Sequence, residues 1–247
     1  MPFRTKCMWR RPGRAEGVPP DHPLSPGGAT LAILDANVLL PPRLSDILFD
    51  LALAGLYQPR WTQAIEGEFL KNFGPVVLTQ GKAARRAAVV AEPNPEHLAK
   101  AAHRLECFRS AAGHAYEVLL YDRPEYKRKV PKAVSGSDIH VASAGLVLRI
   151  LSDEEKSADK VYVVSANLRD LAIKDMKLLG VNVVSPGAFI DALNGAAPRR
   201  VEQALLKTVR DLRSPPFRKA DLLDLLLLHR ARATARLYSE KWKVGIP

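Results

Sequence analysis

The stretch Leu31-Ala-Ile-Leu-Asp35 is a short apolar run that ends in a carboxylate. Two more runs of this kind follow at residues 161–165 and 181–184. Short apolar runs rich in branched side chains are typical of buried strands. Segments with helical spacing of apolar residues lie between them. This alternation predicts an α/β fold with a central, mainly parallel sheet flanked by helices.

The remaining predicted elements surround these three strands. Residues 56–59 are interpreted as a short additional strand, and residues 152–160 as a polar loop. Predicted helices of the sheet domain cover 44–54, Gln63 to about Asn72, 82–90, 95–112, Ser137 or Asp138 to about Leu151, 171–179 and a short segment from Pro186. Beyond the sheet, residues 199–212 and 219–241 predict two helices that pack on the core as a C-terminal helical extension.

The positive charge of the chain is concentrated at its two ends. The 247 residues include 37 Lys and Arg against 26 Asp and Glu, a formal net charge of +11. Residues 1–30 contribute +3, residues 31–194 only +1, and residues 195–247 contribute +7. We therefore expect a disordered basic tail over 1–30, a nearly neutral folded domain over 31–194 and the helical extension over 195–247.

Composition narrows the class of protein. Hydrophobic residues make up 47% of the chain, which excludes wholesale disorder, and no apolar run is long enough to cross a membrane. Two cysteines, Cys7 and Cys107, are too few for a disulfide framework or a zinc site. The N-terminus is basic but lacks the apolar segment of a secretion signal. We expect a cytoplasmic protein with a polyanionic partner, most commonly a nucleic acid.

Four carboxylates are expected to converge at one edge of the sheet. Asp35 ends the first strand and Asp170 closely follows the strand at 161–165, where sites form in open α/β sheets. Asp138 opens a helix, and Glu68 lies within one. Taken singly, each has a simpler explanation as a turn residue, a helix cap or a solvated side chain. Together they predict a divalent-cation site, because clustered acids repel one another and oxygen-only ligands favour Mg²⁺ or Mn²⁺.

Four motifs, in this order, resemble those of PIN-domain ribonucleases. They are Ile33-Leu-Asp-Ala-Asn-Val-Leu39, Trp61-Thr-Gln-Ala-Ile-Glu-Gly-Glu68, Ser137-Asp-Ile-His-Val-Ala142 and Val163-Val-Ser-Ala-Asn-Leu-Arg-Asp170. The first motif alone is weak, whereas the ordered set is specific. The resemblance covers Leu31 to about Leu193 and is closest to the VapC-like toxin components of bacterial toxin–antitoxin pairs. It extends into residues 214–225, which are similar to a C-terminal helical extension in one subgroup.

This resemblance implies a PIN-like three-layer sandwich, with residues 31–194 as its catalytic domain. It also implies hydrolysis of RNA phosphodiester bonds that depends on Mg²⁺ or Mn²⁺. Asp35, Glu68, Asp138 and Asp170 match the metal-binding and catalytic acids, while Asn37, Ser165 and Asn167 match polar residues that orient the site. The implied partners are an RNA substrate, a cognate antitoxin protein and a second copy of the chain in a homodimer.

Three positions near these motifs carry open alternatives. Glu66 is an alternative to Glu68, but the two lie on different faces of a helix, so only one is expected to point inward and Glu66 is expected to be solvated. His140 is interpreted as a packed histidine rather than a phosphate contact. Many relatives carry acids just before the third-motif Asp, and Val134-Ser-Gly-Ser137 replaces them here. That departure is expected to weaken the metal or to alter the substrate.

Basic side chains near the motifs are candidates for phosphate contacts. Such contacts supply affinity that is lost with increasing salt. The candidate residues are Arg43, Arg123, Lys127, Arg128, Lys129, Lys132 and Arg169. A solvated loop is an equally good interpretation of those at 123–132. The apolar run at 221–228 is read as a helix packed on the core, or alternatively as a surface for an antitoxin or a second subunit.

Three other classes of protein are alternatives to a nuclease. A non-catalytic PIN-like protein that binds RNA or acts as a scaffold is the main alternative, although all four acids are present. Aspartyl-phosphate phosphatases need a second Asp where this chain has Asn37, which cannot transfer protons. A dinucleotide binder is disfavoured because no Gly-rich turn follows the first strand.

Overall fold

Four strands form an all-parallel sheet with the order β2-β1-β3-β4. The strands are β1 (Thr30–Leu34), β2 (Gln58–Arg60), β3 (Lys160–Val164) and β4 (Val181–Val184). Ile33 pairs with Arg60 on one side and with Val163 on the other, so β1 lies inside the sheet. Its apolar residues are fully buried, as expected for an inner strand covered on both faces. The predicted α/β class and its parallel sheet are confirmed, and the arrangement is compatible with a three-layer sandwich.

The computed structural model describes residues 28–78, 94–157, 159–213 and 215–245. The α-helices in these ranges are α1 (Ala36–Leu39), α2 (Pro42–Leu53), α3 (Gln63–Phe73), α4 (Pro95–Ala112), α5 (Pro124–Lys127), α6 (Ile139–Glu154), α7 (Ile173–Leu178), α8 (Pro186–Ala196), α9 (Pro198–Asp211), α10 (Lys219–Leu228) and α11 (Arg232–Trp242). The predicted helix at 82–90 and residues 1–27 of the predicted tail lie outside the described residues. Within the described ranges, no helix has the length and apolar character needed to cross a bilayer.

Local sequence signals explain where several of these helices begin. Thr62 Oγ1 accepts a hydrogen bond from the N–H of Ile65 at 3.2 Å, which caps α3 as predicted. Asn94 caps α4 in the same way, and Pro95 occupies its first position. On α6, Gly145 lies directly against Val163 of β3, so the helix packs closely on the sheet.

Two predicted boundaries in the middle of the chain are wrong. The polar loop expected at 152–160 begins later, because α6 continues to Glu154. Arg149 pairs with Asp153 one turn further along and so supports this last turn. The single helix expected at 171–179 is divided, because Ala172 adopts a left-handed conformation with φ 44°. A 3₁₀ turn (Arg169–Leu171) precedes this residue, and α7 follows it.

The single long helix expected at 219–241 is also wrong, since the chain forms α10 and α11 with a turn between them. Arg230 has a φ of 67°, and its N–H donates to the carbonyl of Leu227 to end α10. Asp191 of α8 then caps the start of α11 by accepting from the N–H of Thr234 at 2.8 Å and from its hydroxyl at 2.7 Å. A tertiary contact therefore decides where α11 begins.

The C-terminal helices share the hydrophobic core of the sheet domain. Asp50 of α2 is buried and accepts hydrogen bonds from Thr208 at 2.7 Å and from Lys207 at 2.8 Å, which joins α2 to α9. In α10, Leu222, Leu223 and Leu226 are buried in the same core. Much of the apolar run at 221–228 is thus packed in the core of this chain, in agreement with the packed-helix interpretation.

Candidate functional site

Asp35 lies at the carboxyl end of β1 and is only 5% exposed. Ser165 Oγ donates to Asp35 Oδ2 at 2.7 Å, and Asn37 Nδ2 donates to the same oxygen at 2.6 Å. Asn37 Oδ1 in turn accepts from the backbone N–H of Ala166 at 2.8 Å. Neutral donors from the ends of two neighbouring strands therefore orient this carboxylate. Among the described residues, no Lys or Arg forms an ion pair with it.

Asp138 and Asp170 are bridged by Asn167. The Asn167 side-chain nitrogen donates to Asp170 Oδ2 at 2.5 Å and lies 3.4 Å from Asp138 Oδ2. The backbone N–H of Asn167 donates to Ser165 Oγ at 3.0 Å, which connects this pair to the Asp35 network. Asp138 makes no side-chain capping bond to α6. Helix capping, the simplest explanation of this acid, therefore does not account for it.

The two acids of α3 have different environments. Glu66 is buried, accepts a hydrogen bond from Trp61 Nε1 at 2.9 Å, and binds Arg109 through both carboxylate oxygens. The expectation that Glu66 is solvated is wrong, because Arg109 of α4 supplies a partner that the local sequence did not reveal. The side chain of Glu68 is 42% exposed, and its Oε1 lies 3.5 Å from His140 Nε2.

We expect Glu66→Gln to destabilise the fold by about 1–3 kcal/mol, because it leaves Arg109 and Trp61 with a neutral, less suitable acceptor. Glu68→Gln, the same change two residues away, is expected to alter the free energy of unfolding by less than about 0.5 kcal/mol. Urea denaturation of both variants measures the difference. Equal effects would contradict the assignment of Glu66 to the structural framework.

Burial and mutual repulsion perturb three of the four acids. Burial raises the pKa of Asp35, against hydrogen bonds from Ser165, Asn37 and the backbone of Ala36. Burial also raises the pKa of Asp138, and the negative charges of Asp35 and Asp170 raise it further. Asp138 therefore lies within electrostatic reach of both Asp35 and Asp170.

Glu68 is the third of these perturbed acids. Burial raises the pKa of Glu68 most, the interaction with His140 opposes this, and the charges of Asp35 and Asp138 raise it again. Segments up to about 100 positions apart in the chain therefore place Asp35, Glu68 and Asp138 within electrostatic reach of one another.

In the absence of divalent cations, we expect these acids to lower stability as the pH rises. A raised pKa means that the folded protein binds protons more readily than the unfolded chain does, so protonation of these acids stabilises the fold. This stabilisation is complete below the ordinary carboxyl pKa of about 4. It is lost as the pH rises through the raised values. Asp138→Asn removes one of these groups, and its stability relative to wild type should increase between pH 4 and pH 7.

The measurement is urea unfolding of wild type and Asp138→Asn in chelator at several pH values. The difference between them is informative because surface acids with lowered pKa, such as Asp211, act in the opposite direction on both proteins. Asp175→Asn makes the same change at an exposed acid on α7 and is the matched control for the substitution itself. A difference between Asp138→Asn and wild type that does not change with pH would contradict the repulsion.

The donor chemistry of this edge suits a hard divalent cation, because it consists of carboxylate oxygens. Asp35, Glu68, Asp138 and Asp170 are the residues that could hold such an ion. Within the part of the chain that the structure describes, however, no group of three or more His, Cys, Asp or Glu side chains already has the spacing of a metal centre. Side-chain movements would be needed to close the ligand set.

The predicted phosphate contacts fall into two groups. Arg123, Lys127, Arg128, Lys129, Lys132 and Arg169 are exposed. The first five lie on α5 and on the segment that leads into the 3₁₀ turn Gly136–Asp138. Arg43 differs, since its guanidinium lies over the ring of Phe217 and 3.6 Å from Asp46. Arg43 is therefore engaged with the C-terminal segment.

His140 was interpreted from the sequence as a packed side chain, and it is 15% exposed. The sequence does not predict its position beside Glu68; its location two residues after Asp138 is the one local signal for it. Comparison of the chain with models of protein families, with curated proteins and with solved structures gives no match.

Proposed function

We propose that this chain is a metal-dependent ribonuclease with a PIN-like fold. The observation that carries the proposal is the convergence of Asp35, Glu68 and Asp138: the charge of Asp35 raises the pKa of both Glu68 and Asp138, and the charge of Asp138 raises that of Glu68. Asp170 is joined to them through Asn167. Among the described residues, no Lys or Arg forms an ion pair with these carboxylates, and such clustered acids are costly unless they serve to bind a cation.

Mg²⁺ or Mn²⁺ would be held by the four acids. When bound, such an ion acidifies water and stabilises charge on a phosphoryl oxygen. The chain's own contribution is orientation. Ser165 and Asn37 both bind Asp35 Oδ2 and hold the carboxylate in one direction, and Asn167 does the same for Asp170. Fixed ligands of this kind keep reacting groups aligned without reorganisation during the reaction.

The charge distribution supports RNA as the substrate. A phosphodiester backbone is repelled by four acids, so basic surface must attract it. The exposed basic residues at 123–132 lead directly into Asp138, and Arg169 precedes Asp170. A role as the toxin of a toxin–antitoxin pair, with an antitoxin partner, a homodimeric state and a cytoplasmic location, is supported by the sequence resemblance.

A second candidate function is non-catalytic RNA binding on the same PIN-like fold. The observation that favours it is that no described group of acids has the spacing of a formed metal centre. Binding through the basic surface alone would not require the acids to move.

The experiment that separates the two candidates is incubation of the purified protein with labelled single-stranded RNA in Mg²⁺, in Mn²⁺ and in chelator. The nuclease proposal expects cleavage with one or both cations and none in chelator. Binding without cleavage under every condition supports the non-catalytic candidate. Cleavage that persists in chelator would contradict a metal-dependent mechanism.

A further inference from the structure

His140 carries a buried nitrogen that has no hydrogen-bond partner among the described residues. The residue lies at the second position of α6, and its Nε2 atom is inaccessible to solvent. Buried polar atoms in folded proteins are nearly always bonded, so an unpaired one points to an ordered water or an ion as its partner. The surroundings of His140 indicate which of these is the better explanation.

The imidazole lies among the candidate metal ligands. Its Nε2 is 3.5 Å from Glu68 Oε1, a contact without hydrogen-bond geometry. His140 also interacts electrostatically with Asp35 and Asp138. Glu68 is thus in contact with the unpaired nitrogen, and Asp35 and Asp138 lie within electrostatic reach of the same imidazole.

The spacing between His140 and Glu68 is close to that of two ligands on one ion. Ligands at right angles around a cation, with bonds of about 2.1 Å, lie about 3 Å apart. A side-chain movement of about 0.5 Å would bring both atoms to that spacing. The carboxylates of the site supply only oxygen ligands. The imidazole of His140 would add a nitrogen ligand to them.

We propose that His140 Nε2 is a nitrogen ligand of the divalent cation held with Glu68, which makes this a mixed nitrogen–oxygen site that favours Mn²⁺ over Mg²⁺. The inference rests on the proposed function, since it concerns the same cation. Imidazole binds first-row transition metals well, whereas Mg²⁺ prefers oxygen donors. The alternative role for His140 is a hydrogen bond to Glu68 with oxygen-only coordination of the metal.

Electron spin echo spectroscopy of Mn²⁺ bound to the full-length protein tests the proposal, because it detects nitrogen nuclei bonded to the ion. The wild-type spectrum is expected to show ¹⁴N modulation that changes to the ¹⁵N pattern when the protein is labelled with ¹⁵N-histidine. This measurement needs no variant and no enzymatic activity. Mn²⁺ bound without nitrogen modulation would overturn the inference and leave the metal site itself intact.

Two variants identify the residue responsible. His140→Gln is expected to bind Mn²⁺ without nitrogen modulation and with about tenfold lower affinity, while its affinity for Mg²⁺ is maintained. His114→Gln makes the same change at an exposed histidine and should retain the wild-type spectrum. Modulation that survives His140→Gln would also overturn the inference. If wild type binds no Mn²⁺ in titration calorimetry, the proposed metal-dependent function fails, and this inference fails with it.

Discussion

Asp35→Asn is expected to reduce metal-dependent RNA cleavage by more than about 100-fold, since even residues that only support metal ligands commonly cost 10–100-fold. Asp35 is the most buried acid of the site and adjoins the strand that carries Ser165. The substitution removes an anionic ligand but leaves a carbonyl oxygen that can accept the hydrogen bonds from Ser165 and Asn37. The fold should therefore persist while the cleavage rate falls.

The measurement is a single-turnover cleavage rate on single-stranded RNA, accompanied by a thermal unfolding midpoint for each protein. Asp175→Asn is the matched control, because it makes the same change at an exposed acid on α7. It should cleave at the wild-type rate. If both variants cleave within about threefold of wild type, Asp35 does not belong to the reacting site.

Gly187→Ala is expected to destabilise the protein by about 3 kcal/mol, which corresponds to a drop of about 6–12 °C in the unfolding midpoint for a chain of this size. Gly187 lies in the first turn of α8, and a Cβ at this position would overlap the backbone of His229, Arg230 and Ala231. Backbone atoms cannot rotate aside as a flexible side chain can. The turn between α10 and α11 would have to move away from α8.

Gly195→Ala provides the control within the same helix. An added Cβ at Gly195 meets no atom within 4 Å, and the residue is exposed near the end of α8. This substitution should be neutral or should stabilise the protein by up to about 1 kcal/mol, because alanine favours helix and restricts the unfolded chain. Similar midpoints for the two variants would show that the C-terminal turn does not pack on Gly187.

Much of the sheet could be predicted because its signals are local. The strands near 31–35, 161–165 and 181–184 are apolar runs, and α4 spans the predicted residues from Pro95 to Ala112. Each signal extends over a few consecutive residues. The division of 219–241 into two helices could not be predicted, because Asp191 and Gly187 act on it from a different helix.

The environments of individual site residues also combine features that the sequence predicts with features that it does not. The carboxyl-edge rule predicted that Asp35 and Asp170 lie near each other, and the described contacts connect them through Ser165 and Asn167. Helix periodicity separated Glu66 from Glu68 but did not indicate that Arg109 neutralises Glu66. Ion pairs between distant segments leave no local pattern in a sequence.

The sequence by itself determined the α/β class, the parallel sheet and the edge at which the acids meet, because hydrophobic periodicity and strand direction are encoded within short segments. Only the tertiary structure decided that Glu66 pairs with Arg109, that the Arg43 guanidinium packs over the Phe217 ring, and that His140 Nε2 lies beside Glu68 without a hydrogen bond. Those outcomes depend on which surfaces pack together. Packing joins residues far apart in the chain, and it therefore governs the chemistry available at the site.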